Sequence, residues 1–250
     1  MNVSSSGSII AVASGKGGVG KTWLAITLAH LIARTGRKVL LFDGDIGLAN
    51  VDVQLGLTPE HDLSEVFLSG KALKDVITSY APNFDIIAGR SGSGSFANLP
   101  AATFALLKEQ LTSLAQDYDF IFIDLGAGVE EHVRALTTIA ARCIVVVTDE
   151  PTSITDAYAF IKLCTGDKLT APVDIVVNQT TTLKEGEKTY NSLHKACINF
   201  LKLSVPCLGI IRKDGKVRDS IRSQTSLIVK APHCTAASDA ATIAIKLMQK

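Results

Sequence analysis

Apolar residues in this chain gather in short, nearly unbroken runs separated by longer stretches of mixed character. The runs fall at 9–13, 39–42, 84–88, 120–123, 143–148, 173–177 and 207–211. Such runs suit strands covered on both faces, as in a parallel sheet, better than strands with one wet face. Between them lie segments that read as helices, at 21–34, 62–68, 102–116, 129–140, 153–164, 184–202, 215–223 and 235–249. Strand and helix therefore alternate, and the pattern predicts an α/β fold with a doubly wound, mostly parallel sheet flanked by helices. No internal repeat is visible, and 1–250 reads as one domain. Ser91-Gly92-Ser93-Gly94-Ser95 is the only low-complexity patch and reads as a mobile surface loop, and residues 1–8 read as a flexible N-terminus.

Composition narrows this reading. With 250 residues and 47% hydrophobic content, the chain is long enough for one full core. A net charge of +1 gives no global field toward nucleic acid or an acidic membrane. Cys143, Cys164, Cys197, Cys207 and Cys234 are scattered, with no CxxC pair, and read as core or surface thiols rather than disulfides or metal ligands. No apolar run reaches the ~20 residues that cross a bilayer. Met1 to Ser8 has neither a basic segment nor an apolar one, so no secretory signal is read there. A cytoplasmic location is expected.

The chemistry begins after the first run, at Gly15-Lys16-Gly17-Gly18-Val19-Gly20-Lys21-Thr22. Strand, glycine loop and helix in that order make a P-loop, in which backbone N–H groups converge on a phosphate where a Cβ would obstruct them. Lys21 supplies charge for the β- and γ-phosphates, and Thr22 a hydroxyl for Mg²⁺. Asp43 and Asp45 follow the second run, at the strand end where open α/β sheets bind ligands. A carboxylate there holds a magnesium-bound water or orients the attacking one; the competing reading is turn chemistry and capping. Asp124 ends the run at 120–123, facing Thr22, and can hold Mg²⁺ through water; Gly126 and Gly128 then allow a loop that approaches and leaves a γ-phosphate.

Lys16 is additional to the basic design, and the double-lysine loop resembles the deviant Walker A motif of the MinD/ParA superfamily, a SIMIBI-type group of P-loop NTPases. The resemblance implies ATP and ADP as ligands, Mg²⁺ as cofactor and an ATP-dependent homodimer. Lys16 would reach the partner's nucleotide, Lys21 would act in cis, Asp45 would position the hydrolytic water, and Asp43 would support Mg²⁺ through water. It also implies an adenine contact for Asn178, whose carboxamide offers donor and acceptor, and a nucleotide or dimer contact for Glu150. From the residues alone, a strand-end turn for Asn178 and a solvated loop carboxylate for Glu150 are equally good readings.

Gly47-Leu48-Ala49-Asn50-Val51-Asp52-Val53, Asp124-Leu125-Gly126-Ala127-Gly128 and Glu150-Pro151-Thr152-Ser153-Ile154-Thr155-Asp156-Ala157-Tyr158 look like the FlhG/FleN branch, which regulates flagellar number and placement. So do Lys216-Val217-Arg218 and Gln224. The expected function is an ATP-switched dimer with slow hydrolysis that positions or numbers a cellular structure, flagella first, with flagellar assembly proteins or a partner GTPase as partners. The alternative is a ParA-like ATPase that positions cargo, chromosome, plasmid or chemoreceptors on nucleoid DNA. Reductase and iron–sulfur carrier relatives of this fold are set aside, since 124–142 holds no Cys and no C-terminal CxxC exists.

Four departures matter. Trp23 stands where relatives carry a small or polar residue. Ile211-Arg212-Lys213-Asp214 replaces the usual Ile-Pro-x-Asp. Residues 1–8 do not resemble the FlhG-type extension that activates a partner GTPase. Finally, 235–250 lacks the large apolar residues and basic face of a membrane-surface helix and reads as a helix packed on the sheet, leaving peripheral membrane attachment an open expectation. Arg212, Lys213, Lys216, Arg218 and Arg222 form a basic cluster diluted by Asp214 and Asp219, so DNA binding is not the favoured reading.

Overall fold

The computed structural model describes residues 7–45, 48–89, 101–166 and 171–249. Ile46, Gly47, the 91–95 loop and most of the N-terminal stretch lie outside the described residues. Eight strands form one sheet: β1 (Ser8–Ser14), β2 (Val39–Gly44), β3 (Thr78–Ala81), β4 (Phe84–Ile87), β5 (Phe120–Ala127), β6 (Arg142–Val147), β7 (Val173–Thr180) and β8 (Cys207–Arg212). Their order is β3-β4-β2-β5-β1-β6-β7-β8. All pairings are parallel except β3 with β4. β1 therefore lies at the centre, where the winding reverses between β5 and β6, and the P-loop leaves its carboxyl end.

The continuous apolar runs divide by parity. Ile9, Ala11 and Ala13 join one core with Leu40, Phe42, Ile121, Ile123, Val145 and Val147. Ile10 and Val12 join the other with Val39, Leu41, Phe122, Ile144 and Val146. Both faces are dry, which is why the runs do not alternate.

Helices cover both faces. They are α1 (Lys21–Ala33), α2 (Val51–Leu55), α3 (Leu63–Ser69), α4 (Ala101–Leu114), α5 (Glu131–Thr137), α6 (Pro151–Gly166), α7 (Leu183–Ala196), α8 (Gly215–Arg222), α9 (Leu227–Lys230) and α10 (Thr235–Met248). α1 is buried almost all round, since α10 and α9 pack outside it. α10 is the closing helix its sequence implied: Ala236, Ala240, Ile243, Ala244 and Leu247 are buried against α1 and β8. Ile243 and Leu247 alone contribute about 1.5–3 kcal/mol each by leaving water. No helix among the described residues is long and apolar enough to cross a membrane.

Several elements were not expected. β3 is a four-residue, half-exposed strand paired antiparallel to β4 through a turn at Pro82 and Asn83, whose φ of 63° suits asparagine. α2, α9 and a 3₁₀ turn over Leu73–Val76 are too short to print a period. The single helix expected over 184–202 is α7 followed by a π-helical turn, Cys197–Leu201, which ends on Lys202 at φ 57°.

Candidate functional site

Each P-loop glycine answers a different constraint. A Cβ on Gly15 would lie 2.1 Å from the carbonyl oxygen of Asp156, so the first glycine lets the loop sit on α6. Gly18 and Gly20 have φ of 79° and 92°, the left-handed region that other residues enter at a cost. Gly20 is also the residue before α1, with no side-chain cap there. The first-turn N–H groups of α1 are thereby left facing the loop, a ready anion site.

The loop is held from behind. The Asn178 amide donates to the Val19 carbonyl (2.8 Å) and the Gln179 amide to that of Gly18 (3.2 Å). Gln179 was not anticipated, and its φ of 62° is what turns its side chain onto the loop. Gly128 N–H donates to the Ser14 carbonyl (3.0 Å), tying the loop after β5 to the start of the P-loop. Gly17 and Val19 complete the loop, Val19 as a buried residue of the second core.

Lys21 is buried at the start of α1. Burial pulls its ammonium below the usual lysine range, and Asp124 and Asp45 oppose that pull. Thr22 hydrogen-bonds Asp124. Asp43 and Asp124 are register partners on β2 and β5, both about 1% exposed. Desolvation raises both above the ordinary carboxylate range, and each adds to the pressure on the other's neighbourhood, Asp43 directly on Asp124. Asp43 is engaged by backbone: it accepts N–H groups from Asp45 (3.2 Å), Asn50 and Val51 (both 3.0 Å), bracing the turn into α2. Asp124 differs, because its Oδ1 is buried with no partner among the described residues. An unsatisfied carboxylate oxygen beside a threonine hydroxyl is a hard oxygen pair that fits Mg²⁺, directly or through water. No cluster of three or more His, Cys, Asp or Glu able to hold a metal occurs among the described residues. Mg²⁺ here would thus depend on phosphate and water oxygens for the rest of its shell.

Asp45 reaches across to the β5 loop: a Cβ on Gly126 would lie 3.1 Å from its Oδ1. Burial raises its pKa, while Lys21 and His132 lower it. Lys16 does not point at the cradle. Its Nζ is paired with Glu150 Oε2 (2.5 Å), just before α6, and donates to the Thr152 hydroxyl oxygen (3.0 Å) in that helix's first turn. Glu150 is therefore a partner of Lys16, a link that the sequence did not show because 134 positions separate them.

Beside the loop opens a cavity of about 670 Å³, walled by Gly18, Gly20, Trp23, Asn178, Gln179 and the segment from Ile211 to Arg222. Its size suits a nucleoside. Arg212 stands where a proline was expected, and its backbone N–H donates to Asp239 (3.0 Å) while its guanidinium makes a two-pronged contact with the same carboxylate (3.0 and 2.7 Å). A proline could make neither contact. Asp214 caps α8 through Lys216 N–H (2.9 Å).

Sequence comparison agrees with this geometry. A family model described as an AAA domain matches residues 7–171. The chain is 36% identical over 228 residues to the antiactivator FleN of Pseudomonas aeruginosa, covering 91% of this chain and 81% of that protein. The chain belongs to the MinD/ParA family. It is also 32% identical to the flagellum site-determining protein YlxH of Helicobacter pylori (90% of this chain, 76% of that one). It is 30% identical to the septum site-determining protein MinD of Bacillus subtilis (84% and 78%). Among solved structures, the cell division ATPase MinD of Pyrococcus furiosus superposes with a TM-score of 0.83 at 24% identity, covering 97% of this chain and 99% of that one. MinD of Pyrococcus horikoshii, solved with Mg-ADP, superposes at 0.80, covering 96% and 95%. The MinD/ParA likeness extends over β1–β8, so the doubly wound sheet is the family's fold.

Proposed function

We propose that this MinD/ParA-family protein is an ATP-switched dimer that positions or numbers a cellular structure, with flagella the first assignment. The observation that carries the reading is the pair of lysines with opposite placements. Lys21 is buried within the cradle, between Asp45 and Asp124, as a residue serving its own nucleotide. Lys16 sits on the exposed side of the same loop, 37% exposed and held by Glu150 and Thr152, free to be exchanged for another anion. Relatives named as a flagellar antiactivator and a flagellum site-determining protein support the assignment to flagella.

In this reading, backbone N–H groups of Gly15–Gly20 and Lys21 bind the phosphates, and the carboxylate of Asp45 holds the attacking water. Thr22 and Asp124 hold Mg²⁺, with Asp43 supporting the turn that carries Asp45. When bound, Mg²⁺ neutralises charge on the phosphates. Lys16 leaves Glu150 to neutralise the partner's triphosphate, so that hydrolysis and dimer dissociation are linked. Glu150 and Asn178 then act through Lys16 and the P-loop as well as by lining the site. Turnover is slow until a partner protein acts.

Light scattering with ADP and with a non-hydrolysable ATP analogue tests the switch: the expected result is a monomer with ADP and a dimer with the analogue. Asp45→Ala should keep the analogue-dependent dimer and lose about a hundredfold or more in turnover, the lower end for a positioned proton acceptor. A protein that stays monomeric with both nucleotides overturns the reading. Adding liposomes or DNA to the same measurement separates membrane-cycling from nucleoid-bound behaviour. The basic cluster gives the latter little support, since Arg212 is committed to Asp239 and Lys216 lies 3.6 Å from Asp219.

A further inference from the structure

Trp23 is the chain's only tryptophan, and it follows the magnesium threonine directly. It lies in the first turn of α1, is 5% exposed, and forms part of the wall of the cavity beside the P-loop. Its indole packs within the second core, which also contains Val19, Ile26 and Ile211. Its Nε1–H is buried and has no hydrogen-bond partner among the described residues.

That last fact is what a wall role leaves unaccounted for. A buried indole N–H normally finds an acceptor, and one without an acceptor is a standing cost to the fold. Phenylalanine would keep an aromatic ring in the core and the wall without that cost, losing only part of the buried volume. The cavity that Trp23 lines is where a bound ligand can bring a new acceptor. Along α1 each residue rises ~1.5 Å, so Trp23 lies within one residue of Thr22 at the phosphate end, and the cavity it lines runs from Gly18 and Gly20 to α8. On the far side stand Val217, Arg218 and Ile221 of α8.

We propose that Trp23 reads the sugar–base half of the bound nucleotide, donating its indole N–H to a hydroxyl oxygen or ring nitrogen there. The inference rests on the nucleotide-switch reading of the same site. The N–H is shielded by the wall, so donation takes a turn of the ring toward the cavity, and no existing hydrogen bond resists that turn. Trp23 is then a specificity residue: it favours ligands with a sugar and base over phosphate chains alone, and its environment changes on binding.

Because Trp23 is the only tryptophan, its emission reports this site alone. ADP should shift the emission wavelength and intensity on titration, and inorganic pyrophosphate, which has no sugar or base, should leave them where they were. Trp23→Phe keeps the apolar ring and removes the donor. It should weaken ADP binding by roughly three- to tenfold in calorimetry, the worth of one neutral hydrogen bond. Its ligand-free melting temperature should change little, since removal of an orphaned donor offsets the volume lost with the smaller ring. A Trp23→Phe protein that binds ADP as tightly as the parent overturns the proposal, whatever the emission does. So does an emission change with pyrophosphate equal to that with ADP. A lower ligand-free melting temperature with unchanged ADP affinity would make the indole a structural residue only. If the parent binds no ADP in calorimetry, the nucleotide-switch reading itself falls, and Trp23 with it.

Discussion

Gly126 stands where a single methyl group would press on the carboxylate assigned to the attacking water. An alanine Cβ there would lie 3.1 Å from Asp45 Oδ1 and 3.5 Å from its Cγ, closer than comfortable contact by a few tenths of an ångström. The backbone of Gly126 is not in the left-handed region, so alanine adds no conformational strain. Gly126→Ala should therefore fold and bind ADP like the parent, while turnover falls severalfold as Asp45 is displaced; displacements of this size at a reacting centre cost rate rather than binding. Steady-state hydrolysis beside ADP calorimetry checks this, and equal losses in both would mean that Asp45 is not what the glycine protects. Gly20 answers differently. With φ at 92° and Asn178 Nδ2 2.5 Å from a new Cβ, substitution there strains the loop itself. The site thus holds glycines of two kinds, Gly126 set by a neighbour's approach alone and Gly20 by the chain's own conformation as well, and only the structure separates them.

Among the elements, those with a strong repeating signal were legible and those without were not. The seven parallel-sheet runs emerged, five of them within a residue or two, because being dry on both faces removes polar residues from them; β5 and β7 continue three or four residues further, into the polar and glycine residues at their carboxyl ends. β3 and α9 escaped because four residues with mixed burial carry no period, yet they close one end of the molecule together. His30 on α1 makes that closure: its Nδ1 lies 2.8 Å from Ser226 Oγ at the cap of α9, with Tyr80 of β3 edge-on at 5.8 Å and Phe84 of β4 at 5.6 Å. Desolvation, with Arg34 nearby, lowers the His30 pKa from 6.5 to about 4. Above pH 6.5 the imidazole is neutral in both folded and unfolded chains, and its full contribution is present. As pH falls from 6.5 toward 4 the unfolded chain takes a proton that the folded one refuses, so stability drops. The loss tends to a limit on the order of 3 kcal/mol. His30→Gln keeps a polar group for Ser226 but does not titrate. Urea unfolding at about pH 7.5 and pH 4.5 should show the parent's advantage over the variant shrinking by roughly 2–3 kcal/mol at the lower pH. An advantage that is constant across the range would show that His30 does not stay neutral in this clasp.

For the whole molecule, the sequence located the phosphate cradle because P-loop chemistry is local, whereas the state of Lys16 depends on a residue 134 positions away. Asn178 and Gln179 brace the loop from β7 for the same long-range reason. In the proposed dimer, the Lys16–Glu150 pair makes the isolated subunit a competitor: each Lys16 would leave an intrachain carboxylate before serving a partner's triphosphate. The competition is mild, because side-chain exposures of 37% and 60% place the pair in solvent, where such contacts contribute ~0.2–1 kcal/mol. Two variants then move the assembly in opposite directions. Lys16→Gln removes the cation that the proposed dimer places on the partner's phosphates, and should abolish the dimer formed with the ATP analogue while leaving ADP affinity of the monomer unchanged. Glu150→Gln frees Lys16, and should tighten the same dimer by about fivefold if the exposed pair in each subunit contributes ~0.5 kcal/mol, and by at most about thirtyfold at ~1 kcal/mol each. Because the pair is exposed, the tightening should shrink as salt is raised and screens it. Sedimentation velocity across a protein dilution series, at low and high salt, reads all three outcomes. A Glu150→Gln dimer weaker than the parent's would mean that the carboxylate serves the assembled state, and that Lys16 is delivered by Glu150 rather than withheld by it.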